Sequence, residues 1–387
     1  MKLLGQLLRV NFLLILTPML SPGAVFAQHY TQTNLVSDIV GAAATHDGNL
    51  QNPWGLTRSS TGPWWVSDNN SGVSTLYTGA GTIIPINGNG IVTIPPPKNA
   101  PAGFVAAPTG IVFNDSTSFV IPAPNGNPAA FIFVTEDGTI SAWNGGASAV
   151  LIVDNNDNGS ANGAVYKGAT SADLNGAKYL YVTNFRDARV EVYDSNFNRV
   201  KLSDDAFDPG GDGDHDGDDS RSAQHVPRGF APFNIQNIGG SLFVTYAKQN
   251  ASRHDNLTGD GEGFVEIFTP AGKHIGHLER GPWLNAPWGV VWTPRDFGVF
   301  SNSILVGNFG SGWVAAFNGF THKFIGFVQN PDNSLLTIDG LWSLTFGNDG
   351  KAGPATTLFF SAGPNQEHDG LFGTLTPVAA ENDGSVE

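Results

Sequence analysis

The chain has no cysteine, so disulfides, thiolate metal sites and a cysteine nucleophile are all excluded. Charge is scarce as well. Only 14% of residues are Asp, Glu, Lys or Arg, and 34 acidic side chains face 19 basic ones, for a formal net charge of −15. A surface of that sign repels phosphate backbones and anionic lipid, which excludes nucleic acid and suits cations or neutral ligands. After the first 27 residues there is no second long apolar run. Nor does any stretch repeat apolar residues at i, i+3, i+4, i+7 over a helical length. Also missing are a G-x-S-x-G elbow, an H-E-x-x-H pair, a C-x-x-C-H haem site and a glycine-rich phosphate loop. Covalent serine or cysteine catalysis therefore has no motif to rest on.

What is present begins with a targeting pattern. Lys2 and Arg9 flank the apolar run "LLRVNFLLILTPML", and "AVFAQ" places Val25 and Ala27 at the small-residue positions of a cleavage site. Residues 1–27 read as a secretory signal peptide, and its removal with Lys2 and Arg9 takes the net charge from −15 to −17. The mature protein is expected to be soluble, monomeric and secreted or periplasmic, with residues 378–387 a flexible tail. The 49 glycines and 24 prolines punctuate short β-branched and aromatic runs, which is an all-β pattern.

The runs repeat. "NPWGLTR" (52–58) recurs as "APTGIVF", "VYKGATS", "APFNIQN", "APWGVVW" and "DGLWSLTF". Aligning Trp54, Thr109, Lys167, Phe233, Trp288 and Trp342 gives spacings of 55, 58, 66, 55 and 54 residues. A second series follows each copy: "WWVSDN", "FIFVTED", "YLYVTNF", "SLFVTYA", "ILVGNFG" and "TLFFSAG". A third strand comes after that, as in "GVSTLYTG" and "GFVEIFTP". Six copies with three visible strands and a weaker fourth predict a six-bladed β-propeller of four-stranded blades over 28–377. "TNLVSDIV" (33–40) is expected to supply the last blade's outer strand and close the ring.

The motifs "NPWGL", "WWVSDN", "FIFVTEDGTISAWN", "APFNIQNIGGSLFVTYAKQ", "LNAPWGVVW", "LVGNFGSG", "IDGLWSLTFGN" and "FFSAGPNQEHDGLFG" cover about residues 33–375. Through them the chain resembles a family of secreted bacterial propellers, some of which bear a C-terminal sorting tail. The resemblance implies export and the propeller fold, and no activity. A more distant architectural likeness, to gluconolactonase-like lactonase propellers, implies a divalent ion in the channel mouth by fold analogy alone.

Candidate chemistry gathers where strands end. Taken in order, the residues ending the second strands are Asp68, Glu136, Asn184, Tyr246, Asn308 and Ala362. Asp68, Glu136, Asn184 and Asn308 offer carboxylate and amide oxygens suited to a hard divalent cation, Ca²⁺ above all. Asn234 and Asp339 stand near inner strands and extend the set. Alternatively, these are turn residues that satisfy their own backbone. Glu136, the only Glu of the set, is expected to face Asp68 and to need a cation beside it. Trp54, Phe233, Trp288 and Trp342 recur at one repeat position, either as ligand-stacking faces or as blade packing.

Three His-Asp pairs, His46-Asp47, His254-Asp255 and His368-Asp369, lie in loops. Neighbours in sequence rarely pair, so each His is expected to take its partner from another blade. His254 and His368 are candidate proton carriers, and "YAKQNASRHD" adds Lys248. The long 66-residue spacing holds an Asp-rich insert (204–222), "DPGGDGDHDGDD" at its centre. Asp212, Asp214, Asp216 and Asp218 repeat like the first half of an EF-hand loop, but Ala223 replaces its closing Glu. The insert is a structural calcium loop or a solvated linker.

Two functions of different class fit. One is divalent-metal-assisted hydrolysis or elimination on a lactone, ester or carbohydrate. The other is a non-catalytic module that binds glycan, peptide or envelope partners.

Overall fold

The second strand of every repeat has a buried stretch of five or six residues. Trp64–Asp68, Phe131–Thr135, Ser303–Asn308 and Leu358–Ala362 carry no exposed position. Such strands show no inside–outside alternation because both faces of their sheet are covered, and in a ring of radial sheets the neighbouring blades cover them. The computed structural model describes residues 29–157, 162–209 and 227–378. In it six antiparallel sheets follow one another along the chain.

Blade one runs Pro53–Arg58, Trp64–Asp68, Val73–Tyr77, Ile91–Thr93, and blade two Pro108–Phe113, Phe131–Thr135, Thr139–Trp143, Val150–Asp154. Blade three runs Tyr166–Leu174, Ala177–Asn184, Arg189–Tyr193, Arg199–Val200. Blade four runs Phe230–Ile238, Ser241–Gln249, Gly263–Phe268, His274–His277. Blade five runs Pro287–Trp292, Ser303–Asn308, Val314–Asn318, Phe324–Phe327. Blade six takes Leu341–Phe346, Leu358–Ala362 and Leu371–Pro377 from the end of the chain.

Its fourth strand is Tyr30–Ser37, antiparallel to Leu371–Pro377, so the ring closes as expected. The strand starts three residues before the expected 33–40, because the chain turns away after Ser37 and leaves Val40 82% exposed. Tyr30 locks the closure: its ring is buried against Phe297 and Phe300, and its hydroxyl donates to the Phe297 carbonyl at 2.9 Å. Inner strands meet around the axis in order, and blade six meets blade one. They approach closely. A Cβ on Gly110 would lie 2.6 Å from the backbone nitrogen of Ala169 in the next blade, which is why the position after the aligned residue is glycine there.

Among the described residues no helix is long and apolar enough to cross a membrane. Residues 1–27, expected to be a signal peptide, residues 379–387 and Asp212, Asp214, Asp216 and Asp218 of the insert lie outside the described residues.

One buried acid of blade one has a direct consequence for stability. Asp68 is fully buried; one oxygen accepts the Thr75 N–H at 2.9 Å and the other has no partner. Burial raises its pKa well above the usual carboxylate range, against opposing hydrogen bonds from Thr75, and the Asp47 and Asp38 charges add to the rise. A raised carboxyl favours the fold fully below the unfolded pKa of about 4, and that contribution fades as pH climbs through the folded value. Asp68→Asn is therefore expected to raise stability by about 1–3 kcal/mol at neutral pH, the gain vanishing below about pH 4. Urea unfolding across that range checks it; a gain that is independent of pH contradicts it.

Candidate functional site at the channel mouth

Each inner strand carries a register shift at the aligned repeat position. The breaks fall between Pro53 and Leu56, Pro108 and Ile111, Tyr166 and Gly168, Pro232 and Asn234, Pro287 and Gly289, and Leu341 and Leu344. A bulge turns its extra residue out of the ladder. Here four such residues fill the channel. Trp54 stacks on Trp342 with centroids 3.5 Å apart, Trp288 stands edge-on to both, and Phe233 closes the side. Trp54, Trp288 and Trp342 are at most 4% exposed, so they are a plug and offer no face to a ligand; the packing alternative is the one realised.

The fifth bulged residue is Lys167. Its ammonium lies 5.0 Å over the Trp54 ring and 5.7 Å from that of Phe185, and the residue is 1% exposed. Nζ forms an ion pair with Glu136 Oε1 and lies 3.8 Å from Asp255 Oδ1. Glu136 thus meets a lysine where a metal ion was expected.

Register explains why Asp68 is not there. Asp68 pairs with Pro53, Asn184 with Tyr166, Tyr246 with Pro232, Asn308 with Pro287 and Ala362 with Leu341. In blade two the partner of Pro108 is Thr135, so Glu136 is one residue beyond the others. One residue in a strand reverses the face. The set that shares the channel side is Asn69, Glu136, Phe185, Ala247, Phe309 and Gly363, of which Phe185, Ala247 and Phe309 pack on the plug.

The residues expected beside Glu136 point elsewhere. Asn184 donates to Asp187 and Glu191, Asn308 donates to the Trp283 and Trp313 carbonyls, and Tyr246 stacks on Phe264. Asn234 donates to the Trp288 carbonyl and joins blades four and five. The four-residue cation set is therefore not brought together.

Around Lys167 the mouth is built from loops. Asn69 Nδ2 donates to Glu136 Oε2, and Asn52 Nδ2 donates to Glu367 Oε2, both at 3.0 Å. Asn52 Oδ1 accepts the Trp342 indole N–H, tying mouth to plug. His254 Nδ1 and Asp255 Oδ1 are 2.6 Å apart, so these sequence neighbours do pair, contrary to expectation. The loop allows it because Arg253 has φ 55° and Asn250 Oδ1 accepts the His254 N–H. Lys248 instead pairs with Glu262 at 2.7 Å, and His368 is exposed with Nδ1 against the Gln366 carbonyl.

The carboxyls of the mouth are driven apart. The His254 hydrogen bond, helped by Lys167 against partial burial, holds Asp255 down at about 2. Burial pushes Asp137 up to about 6, opposed by the Ala107 N–H and assisted by the Glu136 charge. Glu367 is raised by burial, opposed by the Asn52 amide, with Glu136 adding to the rise. Separated carboxyl pKa values in one site are what acid and base roles require.

Glu367 reaches the mouth from a strained turn. Asn365, Gln366 and Glu367 have φ of 56°, 58° and 66°, a left-handed run of three non-glycine residues. Asp339 Oδ2 accepts the Asn365 N–H at 2.9 Å, so this expected ligand residue holds the turn. Lys167, Asn52 and Asn69 were not legible as site residues; Asp255 was legible in its His-Asp pair and Glu367 in the "NQEHDG" loop, but neither with the partners it has here. For Lys167 the one signal was "VYKG", a lysine at a position that four other repeats fill with Trp or Phe.

No protein-family model matches the chain. It is 28% identical over 353 residues to Uncharacterized protein R648 of Acanthamoeba polyphaga mimivirus, covering 88% of this chain and 78% of that protein. To Uncharacterized protein L690 of the same virus it is 27% identical, covering 88% and 84%. To Uncharacterized protein R640 it is 32% identical over 62% of this chain, but it spans only 42% of that protein. These relatives are viral and give the expected bacterial family no support. Among solved structures, a streptogramin B lyase superposes with a TM-score of 0.47 at 12% identity, covering 91% of this chain and 98% of that one. A Bacteroides thetaiotaomicron protein of unknown function gives 0.49 at 10% identity, covering 91% and 76%. These likenesses concern the fold only.

A left-handed turn costs about 1–2 kcal/mol per non-glycine residue. Gln366→Gly is expected to stabilise the fold by about 1 kcal/mol, read as a higher Tm, while loosening Glu367 in the mouth. A lower Tm for Gln366→Gly contradicts the strained turn.

Proposed function

We propose that the mouth is an acid–base site for a small neutral or cationic ligand, acting by hydrolysis or elimination on a lactone, ester or carbohydrate. The observation that carries this is the His254–Asp255 pair beside the buried Lys167–Glu136 pair. Asp255 holds Nδ1, which leaves Nε2 of His254 to take a proton from water or from an acidic carbon. Glu367, whose carboxyl pKa is raised by burial and which Asn52 holds in the mouth, is the group placed to give a proton to the leaving oxygen. Lys167 touches no ligand in this reading; it holds Glu136 and Asp255 and offsets charge developing above them. Export rests on the first 27 residues alone, and a binding role without turnover uses the same mouth.

A second reading keeps the divalent ion. Donor atoms of Glu136, His254 and Asp255 lie within 4.8 Å of one another; the two carboxylates supply oxygens of the kind Ca²⁺ takes, and the imidazole is its poorer ligand. The Lys167 ammonium, however, already pairs with both carboxylates and competes for that place.

Screening lactones, esters and neutral polysaccharides with wild type and His254→Asn separates the readings. Acid–base catalysis predicts that the variant loses about 10²–10⁴-fold in turnover of any hit, with binding little changed, and that chelation leaves wild type active. Loss on chelation with recovery on added Ca²⁺ supports the ion, and binding without turnover supports the module.

A further inference from the structure

Blade four carries a second cluster, away from the channel. In its third and outer strands Glu266 lies opposite His277 and Ile267 opposite Gly276, and then the register slips so that Phe268 lies opposite His274. Residues three apart in a regular strand point to opposite faces. Here the extra residue, Ile275, bulges out 51% exposed and absorbs the mismatch. His274 and His277 consequently both reach the one carboxylate, and one donor atom from each of the three residues lies within 4.8 Å of the others.

The carboxylate is prepared for a cation. Glu266 is 1% exposed, with Oε1 accepting from Arg280 Nη2 and Oε2 facing His274 Nε2, each at 2.7 Å. Arg280 is itself anchored 4.4 Å over the Phe264 ring. A guanidinium on one oxygen fixes the direction of the other, as outer partners do for metal-binding carboxylates. Calcium and magnesium prefer all-oxygen sets, whereas two imidazoles and one carboxylate suit a borderline-soft ion.

The geometry points to a zinc-class transition-metal site formed by Glu266, His274 and His277, with its fourth position open to solvent beside the exposed His277. Bonds of about 2.0–2.1 Å need the three donors to draw in to about 3.3 Å of each other. The His274–Glu266 contact is already shorter than that, so the closure falls mainly on His277, on the blade's outer strand. The ion would clamp that edge strand to its neighbour across the bulge and bind only with both imidazoles neutral.

The test uses full-length protein stripped of metal, in a His254→Ala background that disables the mouth cluster. Zn²⁺ is titrated by calorimetry and Co²⁺ by its visible absorption at neutral pH. The site predicts one tight equivalent with a tetrahedral Co²⁺ spectrum. His277→Ala, an exposed change that the fold tolerates, is expected to weaken binding by at least about tenfold with the metal-free Tm unchanged. Zn²⁺ binding that is unaffected by His277→Ala, or no binding in the micromolar range, overturns the proposal. Neither result bears on the acid–base reading, which rests on the mouth groups His254, Asp255 and Glu367 and none of the three residues of this cluster.

Discussion

A lysine ammonium sealed in the centre of the propeller is the constraint on which the mouth depends. Removing Lys167 from water costs several kcal/mol, and nothing apolar offsets that. What offsets it is specific: the Glu136 carboxylate in direct contact, Asp255 at 3.8 Å and the face of Trp54 at 5.0 Å. Glu136 belongs to blade two, Lys167 to blade three, Asp255 to blade four and Trp54 to blade one. One charge therefore ties four of the six blades at the axis. His254 inherits its position from Asp255, and Asn69 inherits its position from Glu136.

The aromatic plug and the polar mouth are two levels of one device. A bulge at each inner strand sends a side chain to the axis, and residue type decides what that level does. Trp54, Phe233, Trp288 and Trp342 exclude water; Lys167 brings the charge. A dry floor with low local dielectric strengthens every electrostatic contact above it. At the rim the causes are local: the His254 hydrogen bond holds Asp255 near 2 while burial lifts Asp137 to about 6, so one carboxyl keeps its proton far longer than the other.

The ring of blades was legible because it repeats, and repetition survives the weak alternation of strands buried on both faces. The closing strand was legible for the same reason, since the last repeat lacked a fourth strand and the chain start supplied one. The site was less so. "FIFVTED" aligns Thr135, not Glu136, with Asp68, and that offset sends the two acids to different places: one into the blade-one core, the other to the axis. His254 was identified as a proton carrier but Asp255 was not identified as its partner, because the pairing depends on a loop with Arg253 at positive φ. Glu367 depends on a left-handed turn that no composition announces.

The central claim, that Lys167 and Glu136 stand or fall together, is tested most directly by a double-mutant cycle in urea. Leaving one partner of a buried pair uncompensated costs about 3–5 kcal/mol, so Lys167→Met and Glu136→Gln should each destabilise by roughly that much. The double variant should lose clearly less than the sum, with a coupling of about 2 kcal/mol or more. Additive losses, or a Glu136→Gln protein as stable as wild type, would contradict the account.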